Sequence, residues 1–480
     1  MPIGLGFIAT PIIVHSLGID NYGIYALVLG FIGYSFSFNV GRALTKYVAE
    51  YRLSGEYDKI NRLISATFFL SLVIAALGAV ILCLSAKWYA YDVSLLTGDS
   101  AVTTVQALYL GAVIIFAMII GQVFDSILQG LHRYDVYSKI FNLNSIFLVI
   151  GNVILALTGF SLLSLLLWTI VVTALTSFGY FIAVKRLLPE FKIEFKFNNS
   201  HVKQIVFFSW GLIGYQLLSN FLLLFERAWI TRKFGIENVT FYVVPMTLAI
   251  YLQSFIASLL LALFPLASEL HDNRRRLQTL YEKSNKLACS VIVFASLTLI
   301  IESREFLTLW IGADFTAKSS ELLILHSITF SALALLTVSW RMMEGLGRTV
   351  YNFLVFVLTF VVTISLFFFL TPLYGLIGVA AARTIGFSII LLSVWNVERI
   401  IFGKILWKFW WNIGIKLAAA AAVTFLVQIL IMRTLSLNWI SLIAAIGVSL
   451  ICYSASLFLL RFVDFDDRIK LKEMFGKYVK

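Results

Sequence analysis

Charge is scarce in this chain. Of 480 residues 13% are Asp, Glu, Lys or Arg and 60% are hydrophobic, and the mean hydropathy is +0.94. A soluble domain carries roughly a quarter charged residues, so this composition excludes one and marks an integral membrane protein. Cysteine is nearly missing as well. Cys83, Cys289 and Cys452 lie far apart within apolar runs, which excludes the paired spacings of a metal ribbon or a redox motif. Strand-type alternation is absent and the apolar runs are long, so the spans are helices rather than the strands of a barrel. No Gly-rich phosphate loop occurs, which excludes ATP hydrolysis by that route. His15, His132, His201, His271 and His326 lack ligand spacing, and Asp464, Asp466 and Asp467 sit in a short tail with no fold around them. No metal and no cofactor is expected. No short apolar stretch with a small-residue cleavage site opens the chain, so its first apolar segment is expected to be a retained span.

What is present is one apolar stretch of spanning length after another. The pattern predicts an all-α polytopic membrane protein with about 14 transmembrane helices, near 2–17, 22–48, 63–85, 102–130, 139–157, 160–184, 204–231, 239–268, 284–303, 320–346, 350–371, 374–397, 410–432 and 438–461. Basic residues gather on alternate connections. One set includes Lys46, Arg52, Lys59, Arg62, Arg133, Lys139, Lys185, Arg186, Arg274–Arg276, Arg348, Arg399, Lys404 and Lys408; the other offers Lys87, Arg232, Lys233, Arg304, Lys318 and Arg433. This asymmetry predicts that both termini are cytoplasmic. It also explains most of the net charge of +12, which is therefore read as contact with anionic membrane lipids and not with nucleic acid.

The chain repeats itself. Gly18-Ile19-Asp20-Asn21 returns as Gly235-Ile236-Glu237-Asn238, and Gln129-Gly130-Leu131-His132-Arg133 returns as Glu344-Gly345-Leu346-Gly347-Arg348. The order and register agree, as in a duplicated unit. Two parallel six-helix repeats are expected, 1–200 and 201–400, with two extra C-terminal helices and a cytoplasmic tail in 401–480. An even number of spans per unit predicts an axis along the membrane normal and a central cavity between the halves. The first span is shorter than its counterpart, which suggests that the natural start lies upstream or that a segment was lost.

Polar residues line several spans. Ser209, Gln216, Asn220 and Arg227 share one face of span seven; Ser35, Asn39, Arg42 and Lys46 share one of span two; Gln122, Asp125 and Gln129 lie on span four and Thr247, Tyr251, Ser254 and Ser258 on span eight. Such faces either join helices or wet a cavity. Charges within spans need partners or a purpose. Arg383 lies near mid-membrane among Ala380, Ala381, Ala382 and Gly386, which leave space for a guanidinium. Arg227 has Glu226 beside it, and Arg341 has Glu344 one turn on. The candidate substrate-binding residues are Arg383, Arg227, Arg42, Arg341, Asn220, Gln216 and Asn39, and the candidate ion-coupling residues are Asp125 and Glu226. An interior rich in arginine suits an anionic ligand such as a phosphate.

Leu17-Gly18 followed by Tyr22-Gly23-Ile24-Tyr25, Asn39-Val40-Gly41-Arg42-Ala43-Leu44 running into Tyr47-Val48-Ala49-Glu50, and the Gln129-Gly130-Leu131 ending of span four resemble the Wzx-type oligosaccharide-lipid flippases of bacterial polysaccharide biosynthesis. These are members of the multidrug/oligosaccharidyl-lipid/polysaccharide exporter superfamily. The chain departs from that pattern at Asn39, where an acid is common, while Glu226 stands where an acid is commonly found late in span seven. The resemblance implies a protein of the bacterial inner membrane that is not an enzyme. It would flip an undecaprenyl-pyrophosphate-linked oligosaccharide, an O-antigen or capsule repeat unit, from the cytoplasmic to the outer leaflet by alternating access, using an ion gradient. A polysaccharide polymerase and chain-length machinery would be its partners. A lipid-linked peptidoglycan-precursor flippase and a multidrug exporter are the alternatives. A membrane polymerase or ligase is disfavoured, since its catalysis needs a larger outer loop than the Ala86–Ala101 connection.

Overall fold

The computed structural model describes residues 2–34, 40–53, 55–193, 199–260 and 273–462, with 263, 267 and 270 between the last two stretches. Among these residues every regular element is a helix. In chain order they are α1 Pro2–Leu17, α2 Ile19–Tyr34, α3 Val40–Leu53, α4 Tyr57–Trp88, α5 Gly98–Gly130, α6 Tyr134–Leu157, α7 Leu162–Leu187, α8 Asn199–Phe234, α9 Glu237–Leu259, α10 Arg274–Ile301, α11 Ser303–Trp310, α12 Ala313–Gly345, α13 Thr349–Ser388, α14 Leu392–Asn396, α15 Trp407–Thr434 and α16 Trp439–Leu459. Ten described helices are long and apolar enough to cross a membrane. α13 is two of the expected spans joined: the chain breaks at Gly375, whose φ of 59° and ψ of −135° suit a residue without a side chain. With its halves taken separately, and with the shorter apolar α1 and α2 and the 36-residue α8, the helices available for crossing reach the fourteen expected from sequence.

The surfaces of these helices are arranged for a lipid solvent. On α4 the exposed positions are Val73, Leu77, Val80, Ile81 and Leu84, while Ser71, Ala75, Gly78 and Leu82 are buried. Large side chains face outward and mostly small ones face inward, because lipid is as apolar as leucine and association rests on close backbone approach. The same logic docks the two extra helices. α15 buries Leu417, Ala420, Thr424 and Gln428, and Gln428 Nε2 donates to Thr298 Oγ1 on α10 at 2.9 Å and to Ser449 Oγ on α16 at 3.1 Å. Tyr453 Oη adds a 2.8 Å bond to the Ser290 carbonyl. One amide thus ties three helices where no water competes for its hydrogens.

The chain packs as two compact units, one of 1–244 with 374–379 and the other of 245–373 with 380–480. In the first, Leu44, Val48, Leu63, Ile64, Ile127, Leu128 and Val184 form a buried cluster of α3, α4, α5 and α7. In the second, Ile256, Tyr281, Ile292, Val338, Met342 and Val397 play that part.

The sequence repeat is reproduced hydrogen bond by hydrogen bond. α1 and α8 both end in a left-handed glycine cap: Gly18 (φ 77°) donates to the Val14 carbonyl and Gly235 (φ 91°) to that of Thr231, each at 3.0 Å. Asn21 and Asn238 then each reach back four residues, to the carbonyls of Leu17 and Phe234. α5 and α12 close with matching paired caps. His132 and Gly347 donate to Gln129 and Glu344, and Arg133 and Arg348 donate to Leu128 and Met343.

Candidate functional site

In the first unit, the two glycine-capped corners meet. Thr240 Oγ1 donates to the Ile19 carbonyl at 2.6 Å, and a Cβ at Gly23 would collide with the Ile236 carbonyl oxygen. By the 217-residue offset Ile19 corresponds to Ile236 and Gly23 to Thr240. The two contacts therefore join equivalent positions of the repeat in exchanged order, with a glycine in one copy and a hydroxyl in the other. Glycine lets one backbone touch the next, while threonine spans its side of the contact with a hydrogen bond.

Further along the same helices lies Arg227. It is 5% exposed, and its guanidinium donates to the Ala26 carbonyl on α2. Gly30, one turn on, leaves the notch it fills: a Cβ there would lie 2.6 Å from the guanidinium carbon and closer still to Nη1. Glu226 accepts the Tyr242 hydroxyl. Arg227 has an acid beside it in the chain, and the fold adds to its surroundings a backbone carbonyl of another helix. Gln216 Nε2 lies 3.4 Å from Asn220 Oδ1, so this part of the expected polar face is linked internally. On α5, Asp125 accepts from Ser126 Oγ at 3.2 Å and Gln129 Nε2 at 3.3 Å, both of its own helix. Asn39 and the side chains of Arg42 and Ser209 lie outside what the structure describes.

In the second unit Arg383 is 3% exposed. Its guanidinium carbon lies 5.4 Å from the ring centre of Phe330 and 4.9 Å from that of Phe387. Two aromatic faces offer a buried cation partial compensation for lost water, worth about 2 kcal/mol or more when desolvated. The expected space beside it is only partly as predicted. Ala380 and Ala382 are buried, but a Cβ at Gly386 would overlap Thr363 Oγ1, so that glycine admits a neighbouring helix turn. Nearby, Thr329 and Thr384 hydroxyls pair at 2.8 Å across α12 and α13. Arg341 Nη1 meets Glu344 Oε2 at 3.1 Å, and Trp340 Nε1 donates to Glu344 Oε1 at 3.0 Å. Trp340 and Glu344 occupy the places of Asp125 and Gln129 in the first repeat, with donor and acceptor exchanged.

Two buried acids were missed in the sequence: Glu398 falls just past the expected span 374–397, and Glu302 sits in the last turn of 284–303. Glu398 is 0% exposed; it accepts from Trp410 Nε1 at 2.5 Å, the Leu406 amide at 2.8 Å and Tyr281 Oη at 3.3 Å. Glu302 caps the gap between α10 and α11. Among the described residues no group of three His, Cys, Asp or Glu side chains is placed to hold a metal ion. An open polar hollow of about 510 Å³ lies in the first unit among Asp58, Asn61, Arg62, Pro189, Glu190 and Lys192. Asn61 crosses it, donating to the Glu190 carbonyl at 2.7 Å and accepting from the Lys192 amide at 3.2 Å.

Residues 3–271 match the family described as polysaccharide biosynthesis protein. A Shigella flexneri protein named "Putative O-antigen transporter" is 23% identical over 391 residues, covering 79% of this chain and 89% of that protein. Among solved structures, the lipid II flippase MurJ in an inward closed conformation superposes with a TM-score of 0.72 at 13% identity, covering 96% of this chain and 97% of that one. An inward-facing multidrug resistance MATE family transporter of the MOP superfamily gives 0.69 at 15% identity, covering 83% and 94%. At these identities the structural likeness shows a shared fold.

Proposed function

Since this chain belongs to the polysaccharide biosynthesis protein family, we propose that it flips an undecaprenyl-pyrophosphate-linked oligosaccharide from the cytoplasmic to the outer leaflet of the bacterial inner membrane. The observation that carries the reading is that family match, which takes in more than half of the chain. The O-antigen transporter likeness supports a lipid-linked glycan as cargo. Two related halves suit alternating access, in which a site opens to each side in turn. Arg383, Arg227, Arg42 and Arg341 are the candidates for the pyrophosphate, since a guanidinium fork matches its oxygens. Gln216, Asn220 and Asn39 are the candidates for sugar hydroxyls, and Asp125 and Glu226 for ion coupling. For Arg227 to reach cargo, it must leave the Ala26 carbonyl. Both termini would be cytoplasmic, and a polysaccharide polymerase with its chain-length machinery would receive the product.

A lipid II type of cargo is the second reading. It is favoured by one observation: the MurJ superposition takes in 96% of the chain, including more than the 83% shared with the multidrug transporter.

The test is to delete the gene and complement it with wild type, Arg383→Ala or Arg383→Lys. Undecaprenyl-linked repeat unit should accumulate on the cytoplasmic side of deleted cells and be cleared by wild type. Arg383→Ala, expressed at equal level, should lower export at least tenfold, with Lys partly restoring it. Normal export of completed repeat units without the gene rejects the reading; accumulation of lipid II instead supports the second one.

A further inference from the structure

Glu302 stands where α10 stops and α11 starts, with φ −90° and ψ 12°. Its main chain is satisfied, since its amide donates to the Thr298 carbonyl and its carbonyl accepts from the Phe306 amide. Its side chain is not. The residue is 2% exposed, makes no cap hydrogen bond to α11, and neither carboxyl oxygen has a hydrogen-bond partner among the described residues. Glu305 Oε2 is sealed from solvent in the same way. Glu302 is the residue that precedes α11 and Glu305 lies in its first turn, three residues on, so the two side chains lie near one another at that end of the helix.

The charged residues on the neighbouring helix turns lie at the surface. Arg304 on α11 is exposed, as are Lys318, Asp314 and Glu321 on α12. α16, which also packs on α11, has no ionisable Asp, Glu, Lys, Arg or His. The charged residues of α10 lie in its first half, from Arg274 to Lys286, and His326 of α12 lies more than two turns beyond Phe315. A carboxylate removed from water without donors or a counter-charge is strongly disfavoured in its ionised form. The like charge of half-buried Glu305 makes ionisation of Glu302 costlier still.

We propose that Glu302, with Glu305 beside it, is a proton-binding site at the junction of α10 and α11, taking up one proton. Burial, and after it the charge of Glu305, pushes the Glu302 carboxyl from 4.5 up to about 7. The proton is therefore exchanged in the range where a transmembrane proton gradient acts. The site stands on these residues alone, so it is independent of the glycan reading.

The test uses the full-length protein in lipid nanodiscs, with infrared difference spectra taken across a titration from about pH 5 to about pH 9, which brackets this range. Wild type should show a protonated-carboxyl band that disappears with a midpoint near 7. Glu302→Gln should lack it, and in Glu305→Gln it should move to lower pH. A second readout does not depend on spectroscopy. The folded protein holds this proton more tightly than the unfolded chain, so wild-type thermal stability should fall as pH rises from 4.5 to about 7 and level off above. Glu302→Gln should remove that slope. A titrating band that survives unchanged in Glu302→Gln, or a Glu302 midpoint in the ordinary range near 4.5, overturns the proposal.

Discussion

At the scale of single residues, the sharpest contrast is between His132 and Gly347. Both end a long helix in the left-handed region, at φ 56° and 70°, and both make the same cap bonds. A side chain in that conformation costs about 1 to 2 kcal/mol, and glycine is spared it. His132→Gly should therefore raise the unfolding midpoint in detergent, by about 1 kcal/mol of stability, and Gly347→His should lower it similarly. Equal midpoints for wild type and His132→Gly would show the histidine to be unstrained. The glycine-capped corners were legible because their residues recur in order. Arg383 was legible as a buried charge, since nothing else in its stretch is polar enough to explain it. Of its two aromatic neighbours, Phe387 follows from helical spacing, four residues on along α13, whereas Phe330 becomes a partner only once α12 and α13 are packed.

At the scale of elements, Glu398 fixes the turn between the second repeat and the extra helix pair. It receives α15 through Trp410, the connecting segment through the Leu406 amide, and α10 through Tyr281. Glu398→Ala leaves these donors without their shared acceptor. The expected loss is about 1 to 3 kcal/mol, as for buried donors left without an acceptor, seen as a lower thermal midpoint and faster proteolysis near Gly403. Glu398→Gln, which keeps one acceptor oxygen, should lose less. Span number was readable from hydropathy, but the break at Gly375 was not readable as a bend within one continuous run. Sequence patterns report which residues avoid lipid; they say little about a single backbone torsion. The two extra helices were seen as additional, whereas the Gln428 tie that docks them depends on Thr298, 130 residues away.

At the scale of the whole molecule, the swapped contact of α2 with the start of α9 carries a prediction. Gly23→Val places a branched side chain against the Ile236 carbonyl, and neither backbone can yield, so the corners must part. Overpacking of this kind costs about 1 to 3 kcal/mol. In a Thr240→Cys background, Gly23→Val should speed labelling by a membrane-impermeant maleimide several-fold. Unchanged labelling would mean that the corners separate freely without it. The duplication itself was legible from two short motifs, because caps depend on local residues that survive divergence. The contact between the motifs was not, since it joins residues 221 apart. In a pair of identical subunits, the residue facing each corner would have to be the same on both sides of the axis, and any change would be made twice. Here both corners belong to one chain, so one side of the contact is free to keep a glycine for close approach while the other acquires a hydroxyl, a division of labour that only a fused gene can inherit.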